Sequence, residues 1–305
     1  MTDATSCDTP PQAPRRSYAA DLWRRFRKHK GGVAGLFVFA IIVLAVILGP
    51  PLYGLDPNEM DYLARNQGPS AAHWLGTDNL GHDLMAQLLA GGRVSLTVGV
   101  AAMLLSLLLG TLIGLLSGYF RALDGALMRL TDLFLALPIL PLLLVIIMLF
   151  RETLRAIIGP EGGIFILIVF VIGITSWMQT ARIVRGDVLV LKDREFILSA
   201  KSGGLRETTI LRRHILPNVT SSILVSATLG IATAIITESA LSFLGLGFPS
   251  DFPTWGRLLY DGVNFMQITP SRVIWPGLAI SLTVLSVNYI GDGLRDAFDP
   301  RSNDG

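Results

Sequence analysis

Six stretches of the chain run without Asp, Glu, Lys or Arg, over residues 31–55, 94–120, 133–150, 162–181, 215–237 and 273–291. A helix needs about 20 mostly apolar residues to cross roughly 30 Å of hydrocarbon, so each stretch is read as a membrane-spanning helix. The first is too long for a signal peptide and ends in Gly49-Pro50-Pro51 with no small-x-small cleavage pattern behind it. It is therefore expected to remain as an anchor. Cations set the orientation, because Lys and Arg are retained on the cytoplasmic side of short loops. With the N-terminus inside, only Arg65, Arg93, Arg151, Arg155, Arg257 and Arg272 of the 25 Lys and Arg residues fall outside. Both termini are thus predicted inside, and residues 182–217 become a cytoplasmic loop between the fourth and fifth spans.

The expected organisation is a basic cytoplasmic leader (1–30), an anchor helix (31–55), an extracytoplasmic segment (56–93), a five-helix core (94–295) containing the loop, and a cytoplasmic tail (296–305). Composition agrees with an all-α integral membrane protein. Of 305 residues 51% are hydrophobic and 16% charged, with a mean hydropathy of +0.56, which is too apolar for an ordinary soluble domain. The net charge of +2 gives no sign of a nucleic-acid partner. The single cysteine, Cys7, excludes an intramolecular disulfide framework. No glycine-rich phosphate loop ending in Gly-Lys-Ser or Gly-Lys-Thr occurs, so the chain is not expected to hydrolyse nucleotide itself. The basic run 24–30 is read as the flank of the first span, in contact with membrane lipid.

Candidate chemistry is sparse. In the second span Ala102, Ser106, Gly110, Gly114 and Gly118 recur every fourth position and lay a smooth strip on which another helix can pack closely. Glu238, late in the fifth span, is costly there unless it faces a cavity or is satisfied by a helix terminus or hydroxyls. The first alternative makes it a candidate residue of a translocation pathway. His73, Asp78, His82 and Asp83 in the outer loop have no local metal-ligand spacing, and turn chemistry accounts for Gly76-Thr77-Asp78-Asn79. No metal site and no catalytic residue is assigned.

The cytoplasmic loop is richer. Asp193 can cap a short helix in which Phe196, Ile197 and Ala200 share a face. Gly203-Gly204 breaks that helix, a second follows, and Pro217 opens the fifth span. Local physics allows either a mechanical contact or a solvated hairpin. Leu198-Ser199-Ala200, then Gly204, then Ile215-Leu216-Pro217 resembles the Glu-Ala-Ala signature of binding-protein-dependent ABC importer permeases, with Leu198 in the place of the family's glutamate. The segments 73–83 and 92–96, the run Glu238-Ser239-Ala240-Leu241-Ser242-Phe243-Leu244-Gly245-Leu246-Gly247, Trp255-Gly256 and the stretch 291–301 are similar to the C-type permease of the dipeptide, oligopeptide and nickel subfamily.

This resemblance implies a type I importer permease core with an extra N-terminal anchor helix, in a bacterial plasma (inner) membrane. It implies that Glu195, Leu198, Ser199, Ala200, Gly204, Leu205, Ile215 and Pro217 form the loop that couples to ATPases. The implied partners are a second homologous permease, one or two ABC ATPases that hydrolyse ATP with Mg, and an extracytoplasmic solute-binding protein. No cofactor is expected on this chain. The implied cargo is di- or oligopeptides, with nickel chelates, glutathione or another small solute as alternatives. A membrane enzyme or a non-transporting scaffold is the competing class.

Overall fold

The computed structural model describes residues 18–249 and 252–298, so Cys7, the start of the leader and most of the tail lie outside the described residues. Twelve α-helices and one π-helical turn make up this part: α1 (Tyr18–Phe26), α2 (Lys30–Tyr53), α3 (Leu84–Tyr119), α4 (Arg121–Ala136), α5 (Ile139–Ile158), α6 (Pro160–Ile174), α7 (Trp177–Leu191), α8 (Glu195–Ser202), α9 (Glu207–Ile210), α10 (Leu216–Phe243), α11 (Trp255–Val263) and α12 (Ser271–Phe298). Five stretches are long and apolar enough to cross a membrane: Lys30–Tyr53, Leu84–Tyr119, Pro160–Leu191, Glu207–Phe243 and Ser271–Phe298. The α4–α5 pair passes the same test only when its two helices are taken together, and they meet at an 88° bend.

That bend departs from the straight span expected over 133–150. Pro138 has no N–H, and its ring disfavours the helical conformation at the residue before it. Leu137 accordingly sits at ψ 140°. A second break follows in the fourth span, where Thr175 turns its hydroxyl back to the Val171 carbonyl at 2.7 Å and helix resumes only at Trp177. From there α7 runs to Leu191, so the start of the expected 182–217 loop is helix. Arg185 on α7 clamps Asp124 of α4 with bonds of 2.6 and 2.8 Å.

The second span also begins earlier than expected. Asp83 caps α3 by accepting from the Ala86 N–H at 2.7 Å, and α3 then runs for 36 residues, about 54 Å at 1.5 Å per residue. Its strip of small residues is a packing seam against α7. A Cβ on Gly110, Gly114 or Gly118 would lie 2.7 Å from Thr180, Val184 or Val188 respectively.

Pro50 and Pro51 lie inside α2, and neither can donate to the carbonyl four residues back. The carbonyls so abandoned, Val46 and Ile47, accept instead from Arg93 of α3, its Nε at 2.9 Å and its Nη2 at 2.7 Å. An arginine counted from sequence as an outer-loop charge therefore ties the anchor helix to the core.

Candidate functional site

Two features of the bundle bear on function, one at its cytoplasmic end and one at membrane depth. At the cytoplasmic end α8 lies over an apolar cluster of Val184, Val188, Ile197, Ile210, Ile215 and Val219, all fully buried. Ile197 and, one turn on, the half-buried Ala200 hold the helix to this cluster. Lys201 adds a cation–π contact, its Nζ 5.0 Å from the centre of the Tyr119 ring at the end of α3. Phe196, expected beside Ile197, instead points out. With it Leu198 and Leu205 are each nearly half exposed, and Glu195, Ser199 and Gly204 are exposed around them. Phe196 and Leu198 on the exposed side of this anchored helix, with Leu205 just past its end, form a surface that another protein can cover.

The ends of α8 differ from the sequence reading in detail. Arg194, not Asp193, is its N-cap, and no side chain caps it. At the other end Gly204 has φ +74°, and the Leu205 N–H reaches the Ala200 carbonyl while the Gly204 N–H reaches that of Lys201. This is a Schellman closure, which favours glycine at the left-handed position. A Cβ on Gly204 would meet nothing within 4 Å, so within the chain the glycine serves the turn and not a close approach. Ile215 is buried beneath α8, in the π-helical turn Leu211–Ile215 that precedes Pro217. There the Leu216 N–H bonds five residues back, to the Leu211 carbonyl. The wider turn accommodates a proline that supplies no N–H of its own, and α9 runs into α10 without a break.

At membrane depth both helix breaks open onto one cavity of about 430 Å³. Leu135 and Ile139 reach it from either side of the α4–α5 bend, and Thr175 and Ser176 from the α6–α7 break. Its polar lining adds Ser106, Gln179, Thr180, Ser226, Thr233 and Thr237, and among the described residues no charged one lines it. The Ser226 hydroxyl is buried and has no partner among the described residues. Irregular backbone at this depth is tolerated where it is buried in protein or lines a water-filled cavity. The sequence reading did not find these residues. Ser226, Gly230, Thr233 and Thr237 recur at the three- and four-residue spacing of one helix face, a signal as regular as the small-residue strip of α3.

Glu238 does not line this cavity, and hydroxyls meet it, as in the second of the two alternatives read from the sequence. The side chain is fully buried; Oε1 accepts from the Ser242 hydroxyl at 2.8 Å and Oε2 from that of Ser95 at 3.1 Å. Ser95 in turn accepts from the Trp255 N–H at 3.2 Å, and Trp255 Nε1 donates to the Leu88 carbonyl at 3.0 Å. A Cβ on Gly256 would come within 2.5 Å of Ser239 Cα. The run 238–247 and Trp255-Gly256 thus knot α11 onto α3 and α10. The outer-loop histidines form two separate pairs, His73 Nδ1 with Asp83 Oδ2 at 2.9 Å and His82 Nδ1 with Asp78 Oδ2 at 2.7 Å. Asp78 also accepts from the Leu80 and His82 N–H groups of its own turn, and Asp83 from the Ala86 N–H as the cap of α3.

The family described as "Binding-protein-dependent transport system inner membrane component" matches residues 106–304. This chain belongs to that permease family. Residues 17–69 match the N-terminal transmembrane domain of oligopeptide transport permease C, which covers α1, α2 and the start of the outer segment. A glutathione transport system permease, GsiD of Pectobacterium atrosepticum, is 42% identical over 92% of this chain and 90% of its own length. The dipeptide permease DppC of Alkalihalophilus pseudofirmus is 38% identical over 96% and 94%, and the oligopeptide permease OppC of Bacillus subtilis 39% over 92% and 90%. Among solved structures, an inward-facing MetNI methionine ABC transporter matches with a TM-score of 0.55 at 16% identity, covering 71% of this chain and 98% of that one. The permease is therefore a multi-pass inner-membrane subunit of an ABC importer.

Proposed function

We propose that this permease forms half of the translocation pathway of an ATP-driven importer of di- or oligopeptides, and that α8 passes the movement of cytoplasmic ATPases to the membrane helices. The observation that carries the pathway is the cavity at the two helix breaks. Its hydroxyls and single amide offer donors and acceptors without a fixed charge, which suits the N–H and C=O groups of a peptide backbone and binds no side chain tightly. The relatives' cargoes named above, glutathione, dipeptides and oligopeptides, all share that backbone chemistry. The 42% identity to a glutathione permease favours a small peptide of that size as the second reading.

The rest of the machine follows from the family. A second, homologous permease supplies the other half of the path, and an extracytoplasmic binding protein delivers the cargo. ATP and Mg act on one or two ATPase subunits, which bear on the Phe196, Leu198 and Leu205 surface. Alternating access then consists of the two halves rocking around the cavity as α8 is pushed. The test is Thr233→Trp, which fills the cavity from an exposed position on α10. Dipeptide uptake should fall to background while the ATPases still co-purify with the chain. Uptake at the wild-type rate would remove the pathway from this cavity.

A further inference from the structure

The polar side chains of the membrane-depth cavity differ in what they can still bond. Thr175 gives its hydroxyl proton to the Val171 carbonyl at 2.7 Å, Thr233 to that of Leu229 at 2.9 Å, and Thr237 to that of Thr233 at 2.8 Å. Each spends its one proton on its own helix and is left able only to accept. Ser106, Thr180 and Ser226 are buried, and Ser176 is half-buried at the α6–α7 break.

Gln179 stands apart from all of these. It lies on α7 one turn past Ser176, where Trp177, Met178, Thr180 and Ala181 are buried and take up the packing faces of the helix. Gln179 is left exposed and lines the cavity. Among the described residues it has no hydrogen-bond partner. Its carboxamide brings two N–H donors and a carbonyl acceptor, on a wall that Leu107, Ile139, Ile183 and Leu229 make otherwise apolar nearby. Against such a wall a hydrogen bond is electrostatically stronger than in open water. An extended peptide residue turns its N–H and C=O to the same side, so a single carboxamide can accept from the first and donate to the second.

We propose that Gln179 reads the backbone amide of the cargo, with Oε1 accepting the peptide N–H and Nε2 donating to the carbonyl of the same residue. The permease itself, and not the binding protein alone, then selects peptides over solutes of equal size that lack the amide. This inference rests on the pathway reading above and adds a selectivity residue to it.

The test compares dialanine with alanyl-lactate, which carries an ester oxygen in place of the peptide N–H. Uptake of each is measured in proteoliposomes that hold the assembled importer, with the binding protein saturated by that substrate. The wild-type permease should carry dialanine about tenfold faster, as the loss of one hydrogen bond implies. Gln179→Leu should slow dialanine and bring the ratio close to one. Gln179→Glu keeps an acceptor for the N–H and should keep the preference. Equal rates in the wild type, an unchanged ratio or an equal slowing of both substrates in Gln179→Leu, or the same ratio in both variants overturns the proposal. Thr233→Trp answers for the pathway separately. Background uptake there with an unchanged ratio in Gln179→Leu removes the amide reader and leaves the pathway in this cavity, whereas uptake at the wild-type rate removes both.

Discussion

At the extracytoplasmic end, a buried carboxylate, Glu238, gathers the hydroxyls of Ser95 and Ser242 and through them the backbone of α11. At the cytoplasmic end, α8 rests on buried aliphatic side chains through Ile197 and Ala200 and leaves Phe196 and Leu198, with Leu205 just past its end, exposed. The first arrangement is directional and closed on itself. The second is non-directional, with Phe196 and Leu198 left uncovered. Hydrogen bonds fix one geometry, whereas an apolar platform can slide or tilt at small cost and still hold. A permease worked from below needs a rigid outer frame and an inner element that can be pushed, and these two chemistries provide that division.

The largest effect is expected at the closed end. Glu238→Leu strands the hydroxyls of Ser95 and Ser242, which should cost about 3 kcal/mol or more and lower the thermal unfolding temperature in detergent. Glu238→Gln keeps an acceptor and should recover most of that loss; equal damage from both variants would show that the hydroxyl bonds do not hold the knot. Ile197→Ala removes the main anchor of α8, about 2–4 kcal/mol by the usual cost of truncating a buried isoleucine. Here the damage should be local. The membrane helices should unfold at nearly the wild-type temperature, while protease cleavage near Arg194 and Lys201 rises and uptake falls. A global loss of stability would mean that the platform is as rigid as the outer knot. Smallest is Gly204→Ala, where a left-handed φ with free space around it predicts about 1 kcal/mol and a partial loss of uptake. Gly204→Trp tests the contact itself: uptake should disappear, because a large side chain stands where a docked ATPase would lie.

Much of this layout is legible in the sequence because membrane burial leaves coarse marks. Uncharged runs locate the spans, the cation bias orients them, and the four-residue recurrence from Ala102 to Gly118 marks a seam that the structure fills with Thr180, Val184 and Val188. The 88° bend was less legible, since a proline in a membrane helix kinks, breaks or is absorbed according to its neighbours. Pro138 breaks its helix, whereas Pro217 is accommodated after a π-helical turn and Pro50 and Pro51 are compensated by Arg93. The role of Arg93 depends on a partner 46 residues away, which no local pattern reports. Glu238 shows the same limit: its cost at that depth was readable, and which hydroxyls would meet it was not. The cavity was hidden for a different reason, because Ser, Thr and Gln at three- and four-residue spacing look alike whether they bond their own helix or line a path.

The claim that α8 is the point of coupling can be tested by one crosslinking measurement. With Cys7 replaced, a cysteine at Leu198 carries a short thiol crosslinker in membranes that contain the assembled importer, and a cysteine at Leu80 on the outer turn serves as the reference. The account predicts a crosslink from position 198 to an ATPase subunit, with a yield that changes when a non-hydrolysable ATP analogue is added, and none from position 80. ATPases that co-purify with the chain yet are never captured from position 198 would contradict it.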